Sequence, residues 1–138
     1  MTTMTSDSGR SAPTGARPLR ILLVDDHADT RDGLRRLLER RGHRVRGAGS
    51  VRDALAVAAE MAGEGLDVIV GDVGLPDGDG VELMRTVSLR HECRAVALTG
   101  WGGSDDLRRY AAAGITRAFI KPVDLDSFFK ALETPVGG

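Results

Sequence analysis

From about residue 19 to residue 134, short apolar runs alternate with longer stretches in which apolar residues recur every three or four positions. The short runs are Ile21–Val24, Val45–Ala48, Val68–Val70, Ala95–Leu98 and Ala118–Ile120, and their starts recur every 23 to 27 residues. Each is too short for a buried helix and rich in Val, Ile, Leu or Ala, which predicts strands. The second is the least strand-like, because Arg44, Arg46, Gly47 and Gly49 surround Val45 and Ala48. The longer stretches predict helices over Thr30–Arg41, Val51–Met61, Gly80–Leu89, Leu107–Ala113 and Leu125–Leu132. Leu34, Leu37 and Leu38 form one stripe. Val81, Leu83, Met84 and Val87 form another, and Leu125, Phe128, Phe129 and Leu132 a third. Ser50 with Asp53 resembles a capping box, Asp124 is a candidate cap for the last helix, and Gly42 and Gly114 are stop signals. Ser104, Asp105 and Asp106 open the fourth helix with negative charge.

Five strand–helix units imply a parallel sheet with helices on both faces. The economical arrangement is a doubly wound five-stranded sheet of order 2-1-3-4-5 with right-handed crossovers. The first 18 residues are polar, small and broken by Pro13, Gly15 and Pro18. They are expected to form a flexible tail, followed by one domain over 19–134 and a short tail over 135–138.

Composition narrows the function. Nineteen basic and twenty acidic residues leave a net charge of -1, against a bulk cationic attraction to nucleic acid or to an anionic membrane. A single cysteine, Cys93, excludes an internal disulfide and a Cys-rich zinc site. No apolar run has the length of a membrane span or of a signal peptide, so a cytoplasmic location is expected.

Ligands of open α/β sheets bind beyond the carboxyl ends of the strands. Those ends carry Asp25 and Asp26 on the first strand, Asp72 on the third, Thr99 with Gly100 on the fourth, and Lys121 with Pro122 on the fifth. Order 2-1-3-4-5 makes the first and third strands neighbours. Three carboxylates in one crevice repel unless a cation sits among them, and oxygen ligands without clustered His or Cys select Mg²⁺ before Ca²⁺ or Mn²⁺. Thr99 and Lys121 add donors for an oxyanion. A carboxylate so placed is a phosphoryl acceptor.

These residues resemble the receiver domain of two-component response regulators, over residues 19–134. The resemblance rests on the Asp pair after Ile21-Leu-Leu-Val24 and on Asp72-Val-Gly-Leu-Pro-Asp-Gly-Asp-Gly80. It also rests on Ala97-Leu-Thr-Gly100 and on Ala113-Gly114 followed by Lys121-Pro122. It implies a flavodoxin-like fold and assigns roles by position. Asp72 would be the phosphoacceptor, Asp26 a direct Mg²⁺ ligand, Asp25 its water-mediated partner and the Gly74 carbonyl a backbone ligand. Thr99 would be the switch hydroxyl and Lys121 the phosphoryl-binding lysine, before a cis Lys121–Pro122 bond. The implied donor is a phosphohistidine on a sensor histidine kinase or a histidine phosphotransfer protein. The implied class is a signalling module with at most slow self-dephosphorylation, not an enzyme. Likeness to receivers of hybrid kinases around Thr99 and Lys121 favours a phosphorelay role, and no output domain is expected after residue 134.

Two departures stand out. The usual aromatic three positions before the lysine is Ala118, with Phe119 expected on the opposite side of the strand, and bulky Trp101 follows Thr99. A haloacid-dehalogenase-like phosphatase is the enzyme alternative, but its general acid would have to stand where Gly74 is. A receiver that only makes protein contacts, without phosphorylation, is the third reading. Arg31, Arg35, Arg36, Arg40 and Arg41 make the first helix basic, either a solvated face or a docking surface for the donor. His27 could touch the metal but is expected as a loop residue near the mouth of the pocket, His43 and His91 on the surface, and Cys93 as a small buried or half-buried thiol before the fourth strand.

Overall fold

The computed structural model describes residues 18–100 and 104–134. Of the expected tails over 1–18 and 135–138, all but Pro18 lies outside the described residues, as does Trp101. The elements run β1 (Arg20–Val24), α1 (Ala28–Arg40), β2 (Arg44–Ala48), α2 (Val51–Met61) and β3 (Val68–Asp72). They continue with β4 (Gly74–Leu75), β5 (Gly78–Asp79), α3 (Gly80–His91), β6 (Arg94–Thr99), α4 (Ser104–Ala112), β7 (Ile115–Ile120) and α5 (Leu125–Glu133).

Five strands form one parallel sheet of order β2-β1-β3-β6-β7, the predicted 2-1-3-4-5, in a flavodoxin-like arrangement. Successive strand residues alternate between two cores, as the pleat requires. Leu22, Val24, Ile69, Ala95 and Ala97 face α2 and α3; Ile21, Leu23, Val68, Val70, Val96 and Leu98 face α1 and α5. Strands covered on both sides read as continuous apolar runs, which is why β1, β3 and β6 are legible in the sequence.

Local signals explain several helix ends. Ser50 accepts the Asp53 N–H at 3.1 Å, as a capping box should. Asp79 caps α3 through the Val81 N–H at 2.8 Å. Gly114, with φ +87°, closes α4.

Several expectations need correction. Helix α1 begins at Ala28, two residues early, and β7 begins at Ile115, three early. The segment after β3 holds a small antiparallel hairpin, β4–β5, pairing Gly74 with Asp79 and Leu75 with Gly78. Leu125 is exposed, because α5 turns only Phe128 and Leu132 fully inward. Asp124 makes no side-chain bond to the helix backbone and instead accepts from the Ser127 hydroxyl at 2.6 Å.

His43 is buried, not on the surface. Its Nδ1 accepts the Leu19 N–H at 3.0 Å and its Nε2 meets Glu133 Oε2 at 2.7 Å. Accepting at Nδ1 requires the tautomer protonated at Nε2, which donates to Glu133. Arg41 completes the cluster with two bonds to the same carboxylate and stacks over Phe129 at 4.4 Å. The cluster ties the α1–β2 turn to the end of α5.

Candidate functional site

Every strand end expected to carry chemistry lies on the carboxyl side of the sheet. Asp25 and Asp72 follow or end the neighbouring strands β1 and β3, whose ladder pairs Val24 with Gly71. Thr99 ends β6 opposite Ile120 of β7, and the Lys121 N–H donates to the Thr99 carbonyl at 2.8 Å. Lys121 therefore enters the crevice beside Thr99, ahead of a cis bond to Pro122. Its Nζ lies 2.5 Å from Asp72 Oδ1 and 3.4 Å from Asp25 Oδ2. Asp25, Asp72 and Thr99 are buried, whereas Asp26 and His27 are exposed at the mouth. Ligand atoms from Asp25, Asp26, His27 and Asp72 all lie within 4.8 Å of one another. His27 Nδ1 stands 3.2 Å from Asp26 Oδ1 and 3.4 Å from Asp25 Oδ1.

Crowding sets the electrostatics. Burial lifts the Asp72 carboxyl from 3.8 to about 6; Lys121 opposes the rise and Asp25 adds to it. Burial also pushes Asp25 upward, but the His27 N–H, the Asp72 carboxyl and the Lys121 ammonium outweigh it and hold Asp25 below the ordinary value. Burial opposes the charge on Lys121, and its bond to Asp72 with both carboxylate charges reverses that. One ammonium thus pairs with two buried carboxylates while a third, Asp26, stands beside them at the rim, which leaves excess negative charge. Three carboxylates with that excess, and a single imidazole exposed at their rim, fit a hard divalent cation. Gly74 is exposed at the start of β4, with open space on its Cα, so its backbone is accessible.

The loop from β3 to α3 is fixed by contacts with distant parts of the chain. Asp77 accepts the Val51 and Arg52 N–H groups at 2.7 and 3.0 Å, pinning the hairpin to the start of α2. Those bonds, Arg52 first, hold the Asp77 carboxyl below its ordinary value. Asp79 also pairs with Arg109 of α4. Gly80 begins α3 against the end of β3, where a Cβ would lie 1.9 Å from the Asp72 carbonyl oxygen. No side chain fits there.

Ala118 is half-buried on the α2–α3 side of β7. Phe119 faces the other core, with its ring 5.6 Å from that of Phe128. The side of β7 that carries position 118 has no ring there. The arginine run of α1 divides its work. Arg35 pairs with Glu39 and Asp32, Arg41 serves Glu133, Arg31 reaches the Asp25 carbonyl, and Arg36 and Arg40 are exposed.

A family model described as the response regulator receiver domain matches residues 21–133. The chain is 32% identical over 152 residues to the virulence sensor protein BvgS of Bordetella pertussis, covering 97% of this chain and 12% of that protein. It therefore spans about an eighth of that relative's length. Among solved structures, a response regulator from Burkholderia pseudomallei with a phosphorylated aspartic acid and a calcium ion superposes with TM-score 0.75 at 28% identity. That match covers 84% of this chain and 67% of the other. The Vibrio cholerae chemotaxis protein CheY4 superposes with TM-score 0.76 at 27% identity, covering 84% and 97%. No helix among the described residues is long and apolar enough to cross a membrane.

Proposed function

The chain belongs to the response regulator receiver domain family, and we propose that it accepts one phosphoryl group on Asp72, with Mg²⁺, from a phosphohistidine of a sensor kinase or phosphotransfer protein. The observation that carries this is the buried Asp72 carboxylate with Lys121 Nζ at 2.5 Å and two further carboxylates beside it. Receiver domains are signalling modules of two-component systems and bind Mg²⁺ at an acidic pocket of this kind. Asp26, Asp72 and the Gly74 carbonyl are the proposed direct ligands, with Asp25 behind them. Bound there, Mg²⁺ supplies countercharge for the carboxylates and for the incoming phosphoryl oxygens.

The residues of the chain do the rest. An ionised Asp72 oxygen attacks phosphorus in line. The phosphorus–nitrogen bond of the donor breaks, and the imidazole leaves with the electron pair and takes a proton from water. Lys121, already bonded to the attacking carboxyl, follows the charge onto a phosphoryl oxygen. The Thr99 hydroxyl donates to a second one. Water later attacks the acyl phosphate, returning Asp72 and inorganic phosphate. The exposed arginines of α1 form the proposed docking face for the donor, and residues 19–134 are the proposed receiver unit. A phosphatase reading gains no support at Gly74, which has no side chain to act as an acid.

The test is incubation with acetyl phosphate and Mg²⁺, read by intact mass. One phosphoryl group is expected on the parent and none on Asp72→Asn. It should vanish in alkali or hydroxylamine, as an acyl phosphate does. Equal uptake by the variant would remove Asp72 from the role.

A further inference from the structure

Strand β2 and the residue after it carry glycine at 47 and 49, and what fills the space is a side chain from α1. Val45, two positions before Gly47, packs into the core shared with α1 and α5, so 45, 47 and 49 line the α1 side of this edge. The Arg31 side chain lies along that lane. A Cβ on Gly47 would meet Arg31 Cδ at 3.2 Å, and one on Gly49 would meet Arg31 Nη1 at 2.9 Å. At the end of the lane, Nη1 donates to the Asp25 carbonyl at 2.7 Å.

That carbonyl lies one residue past the last ladder pairs of β1, at Val24. The Asp25 N–H is held by the Ala48 carbonyl at 3.0 Å. Arg31 holds the other end of the residue and so orients the peptide joining Asp25 to Asp26. This is the turn at which the chain leaves the buried sheet and presents two carboxylates in succession.

We propose that Arg31 is a positioning residue for the acidic pocket, threaded over Gly47 and Gly49 to fix the Asp25–Asp26 peptide for cation binding. This rests on the reading of Asp25, Asp26 and Asp72 as a Mg²⁺ site. Its sign is opposite to that of plain electrostatics. A guanidinium near a divalent cation repels it, so removing Arg31 tightens binding if charge alone matters. If Arg31 acts by orienting ligands, removing it loosens binding, as loss of outer-shell partners does at metal sites, by about tenfold.

The test is titration with Mg²⁺ by calorimetry on the full chain. Arg31→Met removes the donor and keeps much of the stem. Gly49→Ala leaves Arg31 in place and displaces only the tip of its flexible side chain. Gly33→Ala, on the solvent side of α1 with nothing within 4 Å of the new carbon, is the control. Both test variants should bind Mg²⁺ about tenfold more weakly than the parent, Arg31→Lys should recover part of the loss, and the control should match the parent. Urea midpoints taken alongside separate this from a damaged fold. Unchanged or tighter binding in Arg31→Met overturns the proposal, as does a loss confined to Arg31→Met that tracks its stability. A parent that binds no Mg²⁺ defeats the reading of the pocket instead. Amide shifts of Asp25 and Asp26 in metal-free protein then judge Arg31 alone. They should move in both test variants, and unmoved shifts refute the orienting role.

Discussion

Replacing Asp72 with Asn should stabilise the metal-free protein at neutral pH. Ionised Asp72 sits buried beside Asp25, and the burial is chiefly what raises its carboxyl from 3.8 to about 6. The folded state therefore holds this proton more tightly than the unfolded chain. The sign follows. Below about pH 4 both states are protonated and no penalty exists. The penalty grows as pH rises through the interval and is complete above about pH 6. The interval is worth about 3 kcal/mol at roughly 1.4 kcal/mol per tenfold change in proton affinity. Asn is an imperfect copy of the protonated carboxyl, so a gain of about 2 kcal/mol is expected at pH 7.5, or about 8 °C in Tm for a domain of this size. Asp25 remains in the variant, and its lowered value works in the opposite direction. The assay is urea unfolding with a chelator from pH 4 to 8. The Asp72→Asn advantage should be full at pH 7.5 and shrink toward zero at pH 4. Saturating Mg²⁺ should erase it by stabilising the parent selectively. A variant no more stable than the parent at pH 7.5, or an advantage independent of pH, refutes the reasoning.

Three further outcomes are expected. Gly80→Ala drives a methyl into the Asp72 carbonyl, where only backbone can yield; it should cost about 3 kcal/mol or more in urea unfolding and abolish phosphoryl uptake. Reversing the exposed Arg36 and Arg40 to Glu should slow transfer from a phosphorylated partner protein about threefold or more while leaving uptake from acetyl phosphate unchanged; equal slowing of both points to a damaged fold. With no ring at Ala118, beryllofluoride with Mg²⁺ should shift amides in the loops after β1, β3 and β6 and leave Phe119 and α5 nearly still, because a ligand shifts an equilibrium only by its differential affinity. Large shifts across β7 and α5, or dimerisation through them, contradict this.

Strands β1, β3 and β6 were legible because burial on both faces leaves unbroken apolar runs inside them, Ile21–Val24, Val68–Val70 and Ala95–Leu98, and the strand order is the economical one for five short parallel units. The site residues were legible for a related reason: the carboxyl ends of adjacent strands must converge, so Asp25, Asp72, Thr99 and Lys121 meet without any long-range inference. What escaped reading depends on partners far along the chain. His43 follows a glycine and looks like a turn residue, yet Leu19 and Glu133 close over it, the latter 90 residues away. The two-residue strands β4 and β5 are too short to show any period. Arg31 stood inside a run of arginines that masked its separate task, and Gly47 and Gly49 looked like faults in a strand when they are the lane it occupies. Leu125 satisfies helical spacing but lies at the first turn of α5, beyond the edge of the core.

The proposed acceptor is Asp72, one of three neighbouring carboxylates that a phosphoryl group could reach. Protein treated with acetyl phosphate and Mg²⁺, then with borohydride, converts an aspartyl phosphate to the corresponding alcohol at the modified position, which peptide mass spectrometry locates. Reduction is expected at residue 72 alone, dependent on Mg²⁺ and lost in Asp26→Ala. Reduction at Asp25 or Asp26, or none at residue 72 in protein that has taken up phosphate, would contradict it.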